Sequence, residues 1–256
     1  MGNTHGEYGD RSNIPLLFRA AYKAYNAWMS RFARIVVPGC PHHVTARGNR
    51  REPIFFEDGD QDIYCDILSE QMRKASVAVW SYCLMPNHVH LILCPENEDG
   101  LGLALGATHR RWANFVNARG RWRGHLFDGR FASVAMDEAH LMAAVRYVAM
   151  NPVSARLVAK AADWRWSSVG AHMAGVDDGL VTVAPVLDRV DSFAALLEGE
   201  AESPAFAAIR AAETTGRPLG AADFVTNLEH LLGRPIARRA QGRKPAQPAP
   251  EAPRLL

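Results

Sequence analysis

The chain has 256 residues, 48% of them hydrophobic, and its 29 basic side chains outnumber 27 acidic ones to give a formal charge of +2. That balance describes a folded protein long enough for one large domain and an appendage, and it argues against a disordered or strongly polyanionic class. Cys40, Cys65, Cys83 and Cys94 show no CxxC spacing, and neither a signal-peptide pattern nor a long uncharged apolar run is present, so the expectation is a reduced, cytoplasmic protein with no membrane partner.

Residues 1–30 read as an N-terminal extension. They contain an aromatic segment, Leu17 to Trp28, of helical character, and Met29-Ser-Arg-Phe resembles a fresh beginning, making Met29 the expected natural start. After the Pro38-Gly39 turn, His42 to Arg47 alternates as a strand does, and Gly48-Asn49 breaks it. Zinc ligation by Cys40, His42 and His43 is the alternative reading here, but the spacing matches no standard zinc pattern, which favours free thiols. Asp58 or Asp60 is expected to cap a helix whose apolar face is Ile63, Ile67, Leu68 and Met72.

Val77 to Leu84 and His88 to Cys94 read as two strands joined by a Met-Pro-Asn turn. Because strand side chains alternate, His88 and His90 emerge on one face while Val89 and Leu91 point into the core. A helix is predicted over Gly100 to Val116, with Leu101, Leu105, Trp112 and Val116 inward. A basic loop, a short strand from Ala132 to Met136, and a third helix capped by Asp137 follow. That helix is expected to end near Asn151, since Pro152 disfavours helical geometry before it. The order strand-helix-strand-strand-helix-strand-helix predicts an α+β, ferredoxin-like antiparallel sheet with a tyrosine-bearing helix added.

The main domain is therefore drawn over residues 31–173. Residues 174–237 form a helical C-terminal region, with helices expected over Ser192 to Leu197, Ser203 to Thr215 and Ala221 to Leu232. The last two flank Gly216-Arg-Pro-Leu-Gly220, readable as a helix-turn-helix or as a small bundle packed on the main domain. Residues 238–256 read as a disordered, basic, Pro-rich tail.

Two imidazoles fixed side by side can share a metal ion, and Tyr147 and Asn151 stand one helical turn apart on one face. If their helix packs beside the histidine strand, His88, His90 and Asn151 supply three ligands for a divalent ion, and Tyr147 can attack a phosphate held there. Taken singly, each has a plainer explanation: a packed tyrosine, a helix terminator before proline, and strand histidines that bind nothing. The basic residues gather in Gly-containing loops. Arg47, Asn49, Arg50 and Arg51 form one group, and Arg119, Arg121, Trp122, Arg123 and Arg130 another; with Arg110 and Arg111 these are the candidate DNA contacts, arginine for phosphate and Trp122 for stacking on a base.

The segments Arg34-Ile-Val-Val-Pro-Gly39, His43-Val-Thr-Ala-Arg-Gly-Asn-Arg50, Tyr82-Cys-Leu-Met-Pro-Asn-His-Val-His90, Gly129-Arg-Phe131, Arg146-Tyr147, Asn151-Pro-Val153 and Trp166-Ser-Ser168 occur in this order. Together they resemble the single-tyrosine HUH transposases, and most of all the REP-associated tyrosine transposases. The resemblance implies His88 and His90 as metal ligands, Asn151 as the third, Tyr147 as nucleophile, Mg2+ or Mn2+ as cofactor, and single-stranded DNA with hairpin-forming repeats as substrate, joined through a 5′-phosphotyrosine. It leaves open a monomer or a homodimer that exchanges the tyrosine helix. The chain departs from the pattern at Phe127-Asp128, where members often carry Trp-Gln, at Ala149, often Glu, and at Arg156, often Gly. Two other functions compete: a domesticated protein that binds repeat hairpins without transposing, and a hydrolase that uses water in place of Tyr147.

Overall fold

A computed structural model describes residues 34–198 and 204–236. The helix expected over 17–28, the start at Met29 and the tail from 238 lie outside the described residues. The core elements are β1 (His42–Arg47), α1 (Asp60–Lys74), β2 (Val77–Met85), β3 (His88–Pro95), α2 (Gly100–Gly120), β4 (Ala132–Ala135) and α3 (Glu138–Ser154). After them come α4 (Val169–Ala174), α5 (Ala184–Leu187), α6 (Phe193–Leu197), α7 (Pro204–Thr215) and α8 (Ala222–Leu232). The sheet runs β2-β3-β1-β4 with every pairing antiparallel, which is the ferredoxin-like order.

Alternation along the strands gives the sheet two different faces. Val44, Leu84, Val89, Leu91 and Leu93 face α1 and α2, where Tyr64, Leu68, Leu101, Leu105 and Trp112 complete a closed core. Cys83, Met85, Ile92 and Val134 face the other way, against Leu141, Val145 and Val148 of α3. In the β1–β3 register Arg47 stands opposite His88, Thr45 opposite His90 and His43 opposite Ile92. Paired residues share a face, so His43, Arg47, His88 and His90 all lie beneath α3 rather than beneath α1 and α2.

Both sheet edges are covered, which blocks strand-to-strand association between molecules. Beyond β2, Leu84 N donates to Trp166 O at 2.8 Å, and Ser168 Oγ accepts from Tyr82 N at 3.0 Å. Beyond β4, Leu219 N donates to Ala135 O at 2.9 Å, and Asp137 N donates to Leu219 O at 3.1 Å. The Gly216–Gly220 link thus lies along the sheet edge, and α7 packs Phe206, Ile209 and Ala212 into the same core as α3. Among the described residues, no helix is long and apolar enough to cross a membrane.

Two helix boundaries differ from expectation. Neither Asp58 nor Asp60 caps α1, whose N-cap is Gly59 in the left-handed region. Asp60 instead accepts from Phe56 N and Glu57 N at 2.7 and 3.1 Å and holds Arg119 through two bonds of 2.6 and 2.8 Å. The inward face of α1 is Tyr64, Ile67, Leu68 and Met72, with Ile63 left exposed. Helix α3 does not stop at Asn151 but continues to Ser154 with Pro152 inside it. Proline removes one N–H, yet Ala155 N to Asn151 O and Leu157 N to Pro152 O, both 2.9 Å, close the last turn around it.

Candidate active site

The two histidines of β3 have different neighbours. His88 Nδ1 lies 2.6 Å from Asn87 Oδ1, while Asn87 Nδ2 donates to Arg51 O at 2.8 Å. The amide is thereby oriented, His88 carries its proton on Nδ1, and its Nε2 keeps a free lone pair. His90 is buried, with Nε2 3.1 Å from Asn151 Nδ2 and Nδ1 3.0 Å from His43 Nε2. The Tyr147 ring stands edge-on to both His90 and His43, at centroid distances of 5.4 and 5.7 Å. One chain therefore brings together His88, His90, Tyr147 and Asn151, which sequence could place only on separate elements.

Two further residues complete the cluster. His43 enters from β1, and Glu213 enters from α7, its Oε1 3.7 Å from His43 Nδ1 and 3.9 Å from His90 Nδ1. Tyr147 and Glu213 also interact electrostatically. In the sequence His42-His-Val44 reads as strand alternation or as part of a zinc alternative, and nothing local ties Glu213 to a sheet far upstream. The zinc alternative has no geometry behind it: His42 is occupied by Cys40 O at 2.7 Å and Val37 N at 3.2 Å, and Cys40 Sγ contacts Met136 O at 3.4 Å. All four cysteines are free.

Burial sets the electrostatics. It lowers His43 to about 3, and with the nearby Arg47 charge it lowers His88 to about 4. His90 is held well below its ordinary value by burial first, then by His43, His88 and Arg47. All three imidazoles are thus neutral and have lone pairs to offer at neutral pH. Burial pushes Tyr147 up to about 12, helped by the Glu213 charge and opposed by a hydrogen bond from Asn151. Glu213 is raised to about 7 by burial, against the pull of Arg47, Tyr147 and Arg210. Arg210 precedes Glu213 on α7 and is a second basic neighbour that sequence reading missed.

The donor set suits a divalent cation. Among the described residues, His43, His90 and Glu213 form the one His/Cys/Asp/Glu grouping with ligand atoms all within 4.8 Å, and His43 Nδ1 and Glu213 Oε1 are buried without hydrogen-bond partners.

Residues 36–151 match the family model described as Transposase IS200 like. This segment is similar to IS200-like transposases. A solved structure described as a REP-associated tyrosine transposase bound to a REP hairpin aligns with a TM-score of 0.50 at 20% identity, covering 60% of this chain and 92% of that one. A chain from Deinococcus radiodurans R1 described as a transposase aligns with a TM-score of 0.34 at 22% identity, covering 44% of this chain and 90% of its own. No curated protein matches the chain.

Within the matched segment the two basic loops meet. Asn49 N donates to Leu126 O, and Asp128 N to Arg47 O, each at 2.8 Å, so Arg47, Asn49, Arg50, Arg51, Arg121, Trp122, Arg123 and Arg130 form one exposed surface at the His88 end of the sheet. Trp122 is 51% exposed and packs edge-on against Phe56 at 5.0 Å. Arg119 is turned away from this surface into its pair with Asp60, and Arg111 pairs with Glu70 at 2.5 Å. Arg110 is exposed on α2, about 15 Å along the helix from its C-terminal end.

Proposed function

We propose that the protein is a divalent-metal-dependent endonuclease and strand transferase for single-stranded DNA at hairpin-forming repeats, with Tyr147 as nucleophile. The observation that carries this reading is the meeting of Tyr147, Asn151, His88 and His90 in one buried cluster beside Arg47. The solved relative bound to a REP hairpin supports hairpin DNA as the ligand class, and the joined basic loops supply the charge that phosphate needs. His88 Nε2, His90 Nε2 and the Asn151 amide oxygen would hold Mg2+ or Mn2+, which when bound polarises the phosphodiester as a Lewis acid. An imidazole-rich set favours Mn2+ over Mg2+.

In the cleavage step the Tyr147 oxygen bonds to phosphorus and the bond from phosphorus to the 3′ oxygen breaks. The phenolic proton has an acceptor in Glu213, and the leaving oxygen takes a proton from solvent to become a 3′-hydroxyl. The 5′-phosphotyrosine that remains keeps the phosphodiester bond energy, so a second 3′-hydroxyl can reseal it by the reverse step. Phe206 lies edge-on to the Tyr147 ring at 5.2 Å and leaves Tyr147 8% exposed, which makes α7 the element that DNA must pass to reach the phenol.

Incubation with Mn2+ and labelled hairpin oligonucleotides is expected to give a covalent protein–DNA adduct on a denaturing gel, absent in Tyr147→Phe. An adduct that persists in Tyr147→Phe, or free 5′-phosphate product from that variant, would sink the proposal and favour hydrolysis by water. Hairpin binding that is indifferent to chelator and to His88→Ala, with no adduct, would favour a binding protein.

A further inference from the structure

The buried side of the histidine cluster has a directionality that the proposed ligands alone do not explain. Asn151 Nδ2 is a donor, and it faces His90 Nε2 at 3.1 Å. His90 Nε2 therefore accepts, which leaves the His90 proton on Nδ1. That Nδ1 points at His43 Nε2 across 3.0 Å, in rings only 7° from parallel, so His90 donates and His43 accepts. The His43 proton then resides on Nδ1, where the nearest acceptor is Glu213 Oε1 at 3.7 Å.

Those two facing atoms, His43 Nδ1 and Glu213 Oε1, are both buried without a hydrogen-bond partner. The gap is longer than a hydrogen bond and closes with a small rotation of the carboxylate. Helix α7 holds Glu213 at this spot because Phe206, Ile209 and Ala212 are buried in the α3 core.

We infer that Glu213 and His43 are positioning residues for a metal centre: the carboxylate orients His43, His43 takes the Nδ1 proton of His90, and His90 is thereby fixed in the tautomer that offers Nε2 to a divalent cation. This rests on the reading that His88 and His90 are the cation's ligands. Metal-bound histidines generally donate their second N–H to a carboxylate or carbonyl, and loss of such a partner weakens metal binding by about 10- to 100-fold. Here the partner is a second histidine backed by a carboxylate, and both lie outside the expected ligand set. The helix that carries Glu213 lies beyond the 36–151 match, so the C-terminal region is part of the centre rather than an attachment.

The test is calorimetric titration of the full chain with Mn2+ in the wild type, Glu213→Ala, Glu213→Gln and His88→Ala, together with 15N spectra of the metal-free wild-type imidazoles. One bound cation per chain is expected in the wild type and in both Glu213 variants, with Kd weakened about tenfold in Glu213→Ala and restored to within about threefold by Glu213→Gln, whose amide oxygen still accepts from His43. The wild-type spectra are expected to show His90 protonated on Nδ1, a result that needs no variant to fold. A Glu213→Ala affinity within twofold of wild type, a His90 proton on Nε2, or a stoichiometry falling from two cations to one on loss of Glu213 would overturn the inference, the last by making Glu213 a ligand itself. Loss of Mn2+ binding in His88→Ala supports the parent reading, and unchanged binding there refutes that reading whatever Glu213 shows.

Discussion

At the scale of single residues, burial has the largest chemical effect at histidines. His42 is 0% exposed, and burial lowers its pKa to about 4. The unfolded chain takes up this proton near pH 6.5 while the folded protein does not, so stability is intact above pH 6.5 and falls as pH drops toward 4. A gap of about 2.5 units makes the loss about 2.5 kcal/mol by pH 4.5 from His42 alone. Denaturant melts at pH 6.5 and 4.5 should show it, and His42→Asn should flatten the slope; equal stability at both pH values would contradict the assignment. His88, His90, Tyr147 and Asn151 were named from spacing and resemblance, whereas His43 and Glu213 were missed because a strand histidine and a helical glutamate acquire a role only when packing brings them together.

At the scale of elements, alternation and helical spacing placed all four strands and the three main helices, since each buries a face whose period is visible locally. Their ends were less legible. The last turn of α3 runs past Pro152 because hydrogen bonds from Ala155 and Leu157 re-form beyond it, and a local rule about proline does not see those partners. Just after that turn Arg156 adopts φ of 58°, in the left-handed region, at the position where the resembling family often has glycine. A side chain there costs about 1 kcal/mol that glycine avoids, and Arg156 is exposed. Arg156→Gly is expected to raise Tm by about 3 °C, and a lowered Tm would show that the arginine makes a compensating contact.

At the scale of the molecule, a net charge of +2 conceals a concentrated basic surface. Arg50, Arg51, Arg121 and Arg123 come from two loops cross-linked by backbone hydrogen bonds, so they act as one patch. Replacing all four by alanine should weaken hairpin binding at low salt by about 100-fold and flatten the dependence of log Kd on log salt by roughly three. An unchanged slope would move the phosphate contacts elsewhere. Arg119 is expected to add nothing to that slope, because Asp60 already neutralises it. The C-terminal helices could not be placed from sequence, since their amphipathic pattern fits a free bundle and a helix docked on the sheet equally well.

The cluster draws on positions 43, 90, 147 and 213, spread across most of the polypeptide in synthesis order. During translation the sheet and Tyr147 emerge well before α7, and domains fold as they leave the ribosome. For that interval the nascent chain has Tyr147 and the three histidines but lacks Glu213. A chain interrupted before α7 would therefore carry the three histidines and Tyr147 without the carboxylate that faces them.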